Sequence, residues 1–364
     1  MKSREYHLAH ARLSKFSSWF SFLLSVAVLW FGLFGKADSL LRNYSEHPVV
    51  LALLFFGALG LIADIIALPF SLYGIFVIEE KFGFNKMTWR TFALDKLKSY
   101  LLAIIIGGSI LALLVYIQQQ TGSSFWLYAL GVVSLFMIFS LMFYTSLILP
   151  LFNTLTPLEE GALKEAIKNY CAKAGFNLSN LFVIDGSKRS SKANAFFSGL
   201  GSKKKIILFD TLIEKHTNEE LVAVLAHEVG HYKKKHIRTN LILGLIQTTF
   251  MLYLLSIFLD CAALSAALGA AQPSFHINIL AFGLLYSPIS EALGLFMNRI
   301  SRKHEYEADR FCAETFAGAP LKSALKKLSS DNLSNLTPHP LYVFFHYSHP
   351  TLLQRLRAID GISI

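Results

Sequence analysis

Long apolar runs alternate with shorter polar segments along the 364 residues of this chain. Six of these runs come close to the ~20 consecutive apolar residues that a helix needs to cross a bilayer. The second run stays apolar to about residue 78, so we expect its helix to extend beyond the bilayer. The pattern predicts a mainly α-helical, polytopic membrane protein with spans at residues 17–34, 49–70, 100–117, 126–149, 241–258 and 277–296.

The positions of the runs divide the chain into four parts. Residues 1–150 carry four spans and a cytoplasmic loop at 79–98, and residues 237–297 carry two further spans. Residues 151–236 lack such runs and are predicted to form a cytoplasmic α+β segment. Residues 298–364 are polar again and are predicted to form a cytoplasmic C-terminal segment.

The α+β segment shows the short periodicities of water-exposed helices and strands. An amphipathic pattern predicts a helix with Gly175 as its C-terminal stop signal, and short apolar stretches predict a strand and a hairpin. The predicted helix covers 157–173, the strand 181–184, and the hairpin 194–198 and 205–209 around a turn at 199–201.

Composition agrees with the membrane prediction. Hydrophobic residues make up 54% of the chain and charged residues only 16%, whereas soluble globular chains are about 25% charged. The three cysteines, Cys171, Cys261 and Cys312, are scattered and show no C-x-x-C spacing. Such a set predicts neither a disulfide framework nor a cysteine metal site, and small buried side chains are expected instead.

The formal net charge is +10, and its distribution argues against a nucleic-acid partner. Lys and Arg are concentrated in alternate loops, and the segments 118–124 and 259–276 contain none. This is the positive-inside pattern, which predicts that both termini and the segments 151–236 and 298–364 lie in the cytoplasm. The basic clusters are Lys2, Arg4, Arg12 and Lys15, then Lys81, Lys86, Arg90, Lys96 and Lys98, and finally Arg299, Arg302 and Lys303.

The motif H-E-x-x-H occurs once, at residues 227–231. On a helix, His227 and His231 share a face and can reach one metal ion, and Glu228 is close enough to act on a water molecule there. Thr217 and Glu220 form a capping-box pair at the predicted start of that helix. This arrangement is typical of a zinc-dependent peptidase.

A catalytic zinc usually takes three protein ligands, so a third one is expected. Glu305 and Asp309 are four residues apart and share a helical face, whereas Glu307 points roughly away. One carboxylate can bind the metal while the other holds a ligand imidazole from behind. Glu305 is the best candidate for the third ligand. Without the upstream motif, the same segment would be taken as a solvated acidic helix face.

H-E-x-x-H followed by E-x-x-x-D in this membrane framework resembles the integral-membrane CaaX prenyl proteases of type I, which have a gluzincin-type zinc site. The resemblance covers about residues 70–360, and the length is that of a bacterial-size member. It implies a polytopic helical protein whose gluzincin-like zinc metallopeptidase domain contains a small β-sheet. The matching stretches are FVIEEKFGFNK at 76–86, DGSKRSS at 185–191, NAFF at 194–197, LFDTL at 208–212, HYSHP at 346–350 and LLQRL at 352–356.

The resemblance implies a role for each matching site residue. It implies one Zn²⁺ bound by His227, His231 and Glu305, with Glu228 as general base and Asp309 behind the ligands. His349 and Arg355 would stabilise the oxyanion and organise the site, and Asn194 and Ala195 would receive the substrate backbone. By themselves, His349-Pro350 is typical of a turn and Arg355 of a helix surface. Members of the family are described with seven spans, one more than the pattern here predicts.

The function predicted is a membrane-embedded zinc endopeptidase acting on prenylated CaaX-type or other hydrophobic, membrane-associated substrates, with membrane lipid around it. Two alternatives stay open: a quality-control protease of the heat-shock type, and a zinc-bearing scaffold or transporter without catalysis. The site would face the cytoplasm, at the inner membrane of a bacterium or the endoplasmic reticulum of a eukaryote. Asp64 and Glu291, acids within predicted spans, are further functional candidates or structural partners.

Overall fold

Long apolar helices form most of the molecule, and the predicted fold class is confirmed. The computed structural model describes residues 2–176, 181–199 and 205–361. Within these residues, five helical stretches are long and apolar enough to cross a membrane. They are Lys2–Trp30, Pro48–Phe82, Trp89–Phe152, His236–Phe258 and Phe275–Thr315.

Residues 2–154 form eight α-helices, and three π-helical turns extend them. The π-helical turns are Gly74–Glu79, Ala103–Gly108 and Tyr144–Ile148, and each directly follows an α-helix. The α-helices are α1 (Lys2–Trp30), α2 (Leu33–Arg42), α3 (Pro48–Tyr73), α4 (Glu80–Phe82), α5 (Trp89–Leu102), α6 (Ser109–Thr121), α7 (Phe125–Phe143) and α8 (Leu149–Phe152).

Two glycines set where these helices break. Gly32 has φ +60°, a conformation that other L-residues rarely adopt, and it separates α1 from α2. The first predicted span, 17–34, therefore runs past the end of its helix. Gly122, with φ +50°, lies at the junction of α6 and α7, which pack against each other. The stretch Trp89–Phe152 thus contains two of the six predicted spans.

A four-stranded mixed sheet follows the first membrane helices. Its order is β1-β2-β4-β3, with β2 and β4 parallel and the other pairs antiparallel. β3 is therefore an edge strand that pairs with β4 alone among the described residues. The strands are β1 (Leu155–Pro157), β2 (Leu181–Ile184), β3 (Ala195–Ser198) and β4 (Lys205–Phe209).

Two boundaries predicted from the sequence in and beside this sheet are wrong, one of a helix and one of a strand. The helix predicted from residue 157 begins only at Ala162, because Leu155–Pro157 pairs with β2 as a strand. Asn194 precedes the hairpin strand rather than belonging to it, although its carbonyl accepts the Phe209 N–H at 3.1 Å. Of the turn predicted at 199–201, residues 200 and 201 lie outside the described residues.

The remaining helices build the part of the molecule around the sheet and the last membrane segments. At ~1.5 Å per residue, the 41-residue helix α14 is about 60 Å long, so it continues well beyond the predicted span 277–296. The helices are α9 (Ala162–Lys173), α10 (Asp210–Lys215), α11 (Asn218–Lys233), α12 (His236–Phe258), α13 (Ala262–Ala267), α14 (Phe275–Thr315), α15 (Gly318–Asp331), α16 (Pro340–His346) and α17 (Leu352–Ile359).

The hydrophobic core outside the membrane spans surrounds α11. This helix packs against α9, α14 and α15, and its residues from Glu220 to His227 are all buried. A helix that is apolar on every side must be enclosed on every side. The enclosure fixes α11 against the distal part of α14, and the candidate site lies between these two helices.

Candidate metal centre

Helix α11 presents the two histidines of H-E-x-x-H on one face. It begins with the predicted capping box, in which the Thr217 N–H donates to Glu220 Oε2 at 2.9 Å and the Glu220 N–H donates to Thr217 Oγ1 at 3.3 Å. Two turns further on, the Nε2 atoms of His227 and His231 lie 3.1 Å apart. Their ring nitrogens therefore face a common point.

Glu305 reaches that point from α14. Its Oε1 lies 3.3 Å from His231 Nε2, and its Oε2 lies 3.6 Å from His227 Nε2. The helices can meet here because Gly230 has no side chain: a Cβ at this position would lie 3.1 Å from the Cα and the carbonyl oxygen of Ala308. Ala308 is one helical turn from Glu305, so this contact sets how far Glu305 reaches.

The three side chains fit a zinc ion. One donor atom from each of His227, His231 and Glu305 lies within 4.8 Å of the others. Two imidazole nitrogens and one carboxylate oxygen form a donor set of catalytic zinc sites, which leave a further position for water. His227 and Glu305 are buried, so a cation there would be shielded from bulk water.

Asp309 and Arg355 lie directly behind this donor set. His227 Nδ1 is 2.9 Å from Asp309 Oδ1, which leaves His227 Nε2 facing the donor set. Arg355 donates to both Asp309 oxygens, from Nε at 2.8 Å and from Nη2 at 2.6 Å, and its Nη1 lies 3.3 Å from Glu305 Oε2. Burial alone would raise the pKa of Asp309, but the hydrogen bond from Arg355 lowers it. Asp309 is therefore a carboxylate that accepts from His227.

His231 has a different partner, which the sequence pattern did not predict. Its Nδ1 lies 3.0 Å from Nδ1 of His236, whose Nε2 lies 2.8 Å from Glu307 Oε2. Lys235, with φ +62°, lies between α11 and α12 and turns the chain, so that His236 comes back beside His231. In an uninterrupted helix, residues five apart would not share a face, which is why the pattern gave no signal.

A cavity of about 530 Å³ opens in front of the donor set. Glu228 lies half-buried in its wall, and burial raises the pKa of this carboxyl even though the charges of His227 and His231 act to lower it. The side chain of His349 is 64% exposed, and its Nε2 lies 3.4 Å from Glu305 Oε1. The cavity brings together nine of the predicted site residues: Asn194, Ala195, His227, Glu228, His231, Glu305, His349 and Arg355 line it, and Asp309 supports it from behind.

The segment that leads into β3 is held by groups that sequence reasoning missed. Lys192 Nζ lies 2.9 Å from Glu79 Oε2 and donates to Tyr6 Oη at 2.7 Å, so α1 and the end of the α3 stretch both contact it. The Asn332 side chain bonds both backbone groups of Ala193, at 3.2 and 3.1 Å. These contacts fix the chain immediately before Asn194 and Ala195.

The two acids within predicted spans differ in their surroundings. Asp64 is an ion-pair partner of Lys96 and accepts a hydrogen bond from Tyr100. Glu291 is exposed on α14. The contacts of Asp64 favour the structural alternative for that residue, and the role of Glu291 stays a prediction.

Comparison with known proteins gives two family matches that together cover almost the whole chain. Residues 1–154 match the family described as CAAX prenyl protease N-terminal, five membrane helices. Residues 157–363 match peptidase family M48. Where the first description counts five membrane helices, residues 2–154 here form four long helical segments and the ten-residue α2.

The relatives are similar to this chain over more than four fifths of their own length. CAAX prenyl protease 1 of Saccharomyces cerevisiae is 37% identical over 389 residues, covering 100% of this chain and 86% of the relative. A CAAX prenyl protease 1 homolog of Arabidopsis thaliana is 35% identical and covers 99% and 87%. The crystal structure of S. mikatae Ste24p matches with a TM-score of 0.92 at 37% identity, over 99% of this chain and 88% of that one.

Proposed function

Because this chain belongs to peptidase family M48 and is a multi-pass membrane metallopeptidase, we propose that it hydrolyses peptide bonds in prenylated CaaX-type proteins. The observation that carries the proposal is one cavity lined by the His-His-Glu donor set, Glu228 and residues of β3, which is an edge strand among the described residues. Further support comes from the relatives in a fungus and a plant, whose names describe CAAX prenyl proteases. This chain aligns with more than four fifths of the length of each of them.

In this proposal His227, His231 and Glu305 hold one zinc ion. When bound there, zinc supplies Lewis acidity, which lowers the pKa of a bound water molecule to about 7 and polarises the scissile carbonyl. Asp309 keeps the proton of His227 on Nδ1, so that Nε2 stays free for the metal. Arg355 balances the negative charges of Asp309 and Glu305 in the buried layer behind the ligands.

Glu228 acts as the general base and later as the general acid. It lies in the cavity wall beside the donor set without belonging to it. Its raised pKa suits this double task, because a group that accepts and then releases a proton works best with a pKa near the operating pH. It takes the proton of the attacking water and passes it to the leaving amine.

His349 is the proposed donor to the developing oxyanion. Its exposed ring can turn toward a peptide carbonyl, and it lies at the rim of the donor set. Arg355 is less suited to that task, because its Nε and Nη2 donate to Asp309 and its Nη1 faces Glu305. We therefore assign Arg355 to holding the site and His349 to the charge that forms during the reaction.

The edge of β3 is the proposed place for the substrate backbone. Asn194 and Ala195 line the cavity, and β3 pairs with β4 alone among the described residues, so an extended peptide can add as a further strand. Main-chain hydrogen bonds would set the register of the peptide without strong selection of its side chains. Specificity would then come from the lipid group and the surrounding apolar helices.

The orientation proposed is a cytoplasmic active site with both termini on the same side, from the distribution of basic residues. Single cysteines introduced into a variant lacking Cys171, Cys261 and Cys312 can be labelled from each side of sealed vesicles. A cysteine near residue 5 should react from the cytoplasmic side. Labelling there from the opposite side would require an odd number of spans.

A pair of peptides tests the substrate class. The purified protein in detergent is given a farnesylated C-terminal CaaX peptide and its unlipidated twin, with Glu228→Gln as the inactive control. We expect faster cleavage of the farnesylated peptide. Equal cleavage of the two would instead indicate a general membrane protease, and cleavage of neither by zinc-loaded protein would indicate a scaffold without catalysis.

A further inference from the structure

Each of the two histidines in the donor set has a carboxylate behind it, but the two links differ. His227 contacts Asp309 directly, whereas His231 reaches Glu307 only through His236. We propose that His236 and Glu307 form a positioning pair that fixes the tautomer and ring orientation of His231 and thereby sets the affinity of the site for zinc. The inference rests on the proposed zinc site.

Proton positions support this assignment. If His231 binds the metal through Nε2, its Nδ1 carries the hydrogen and donates to His236 Nδ1, 3.0 Å away. His236 must then carry its own hydrogen on Nε2, and that nitrogen lies 2.8 Å from Glu307 Oε2. With one tautomer of each ring, the N–H groups of His231 and His236 both have an acceptor. In this arrangement the Nε2 of His231 carries no hydrogen and is free for the metal.

The surroundings of His236 make it a rigid support. Its side chain is 3% exposed, so its hydrogen bonds do not compete with bulk water. Its ring stacks on that of His304, with centroids 3.9 Å apart and planes 11° apart. His304 is buried too, and no hydrogen-bond partner reaches its Nδ1 among the described residues. The stacking contact therefore holds the ring of His236 in place. Of the two stacked histidines, His236 is the one that forms the hydrogen bond with His231.

This stack offers a matched pair of variants. His236→Phe and His304→Phe each replace a buried imidazole of the same stack with a phenyl ring, so their packing changes are alike. Only His236→Phe leaves the Nδ1–H of His231 without an acceptor. Glu307→Gln is a milder third variant, because it removes the charge at the partly exposed end of the series while keeping the size of the side chain.

The test measures metal binding rather than activity. Zinc affinity is determined by competition with a chelator on the full-length protein in detergent, the geometry by the visible spectrum of the Co²⁺-substituted protein, and folding by the thermal midpoint. We expect His236→Phe to weaken zinc binding about 10- to 100-fold and to change the Co²⁺ spectrum. Glu307→Gln should weaken binding less, and His304→Phe should bind zinc as the parent does.

The outcomes separate the inference from the proposed function. If the parent binds zinc and His236→Phe matches His304→Phe in affinity and spectrum, the positioning role of His236 is wrong and the zinc site stands. If the parent binds no zinc, the proposed function itself fails. Should His236→Phe not fold, Glu307→Gln decides: unchanged affinity and an unchanged Co²⁺ spectrum in that variant would overturn the inference.

Discussion

Gly230 lies at a close contact between α11 and α14, one turn from Glu305, so it controls how the two histidines meet Glu305. A methyl group added there would lie 3.1 Å from the Cα and the carbonyl oxygen of Ala308 and 3.2 Å from Cβ of Phe311. Two of these atoms belong to the backbone of a neighbouring helix and cannot rotate away. Gly230→Ala should therefore push α14 outward and carry Glu305 with it.

The size of the effect follows from two opposing terms. Replacing Gly by Ala inside a helix gains ~1 kcal/mol of helix propensity, whereas overpacking a well-filled core costs ~1–3 kcal/mol. We therefore expect a net loss of stability of at most ~2 kcal/mol. Ordinary carbon contacts begin near 3.5 Å, so relief at Gly230 needs a shift of about 0.4 Å. Because a misplacement of 1 Å can lower a rate ~10²-fold, that shift corresponds to about a sixfold loss.

Gly244→Ala is the matched control. It adds the same methyl group to helix α12, but outside that helix the only atom of the described residues within 4 Å is the terminal Cε of Met137, at 3.2 Å, which can move aside. Thermal midpoints in detergent, zinc content and kcat/KM are measured for both variants. Gly244→Ala should match or exceed the parent, and Gly230→Ala should fall below it in all three. Equal behaviour of the two variants would refute the argument that this close approach positions Glu305.

Three further predictions concern single carboxylates. Glu228→Gln should keep its zinc but lose at least ~10²–10⁴-fold in cleavage rate, as expected for a lost general base; cleavage at the parent's rate with equal zinc would exclude that role. Glu305→Ala should lose zinc while Glu307→Ala keeps it when zinc is in excess, and the reverse result would assign the third ligand to Glu307. Burial alone would raise the pKa of Glu220, but hydrogen bonds from the side chains of Lys327 and Ser323 and from the Thr217 N–H lower it to about 2. A carboxylate with a depressed folded-state pKa stabilises the fold above its ordinary value, 4.5, and loses that contribution as the pH falls toward 2. The difference in thermal midpoint between the parent and Glu220→Gln should therefore shrink across this range, and a constant difference would contradict the prediction.

The sequence was sufficient to predict those features of the site that arise between residues a few positions apart. The capping box at Thr217, the shared face of His227 and His231, and the shared face of Glu305 and Asp309 all follow from helical periodicity over a few residues. The role of His236 was not predictable in this way. It depends on a left-handed residue at Lys235 that breaks the periodicity, and the side chain of lysine gives no signal for that conformation.

In the fold as well, features that follow from local sequence patterns were predicted and features that depend on distant residues were not. Hydropathy located the apolar helices, because length and composition alone decide whether a helix can span a bilayer. It did not locate the break at Gly32, since the residues on both sides are apolar. Strand β1 was missed because Leu155–Pro157 is only three residues long and owes its conformation to pairing with β2, about 27 positions away. Long-range pairing of this kind leaves little trace in a local pattern.

The contact between Asp309 and Arg355 joins residues 46 positions apart, and this separation imposes an order of events during synthesis. A ribosome that adds about 5–20 residues per second needs roughly 2–9 s to proceed from one to the other. In that interval the three proposed zinc ligands have been added to the chain, but the guanidinium that pairs with Asp309 and Glu305 has not. We expect the nascent chain to remain without a competent site until this late residue is in place. Other newly made proteins in the same membrane would then be exposed to the active protease only after the segment that carries Arg355 has been made.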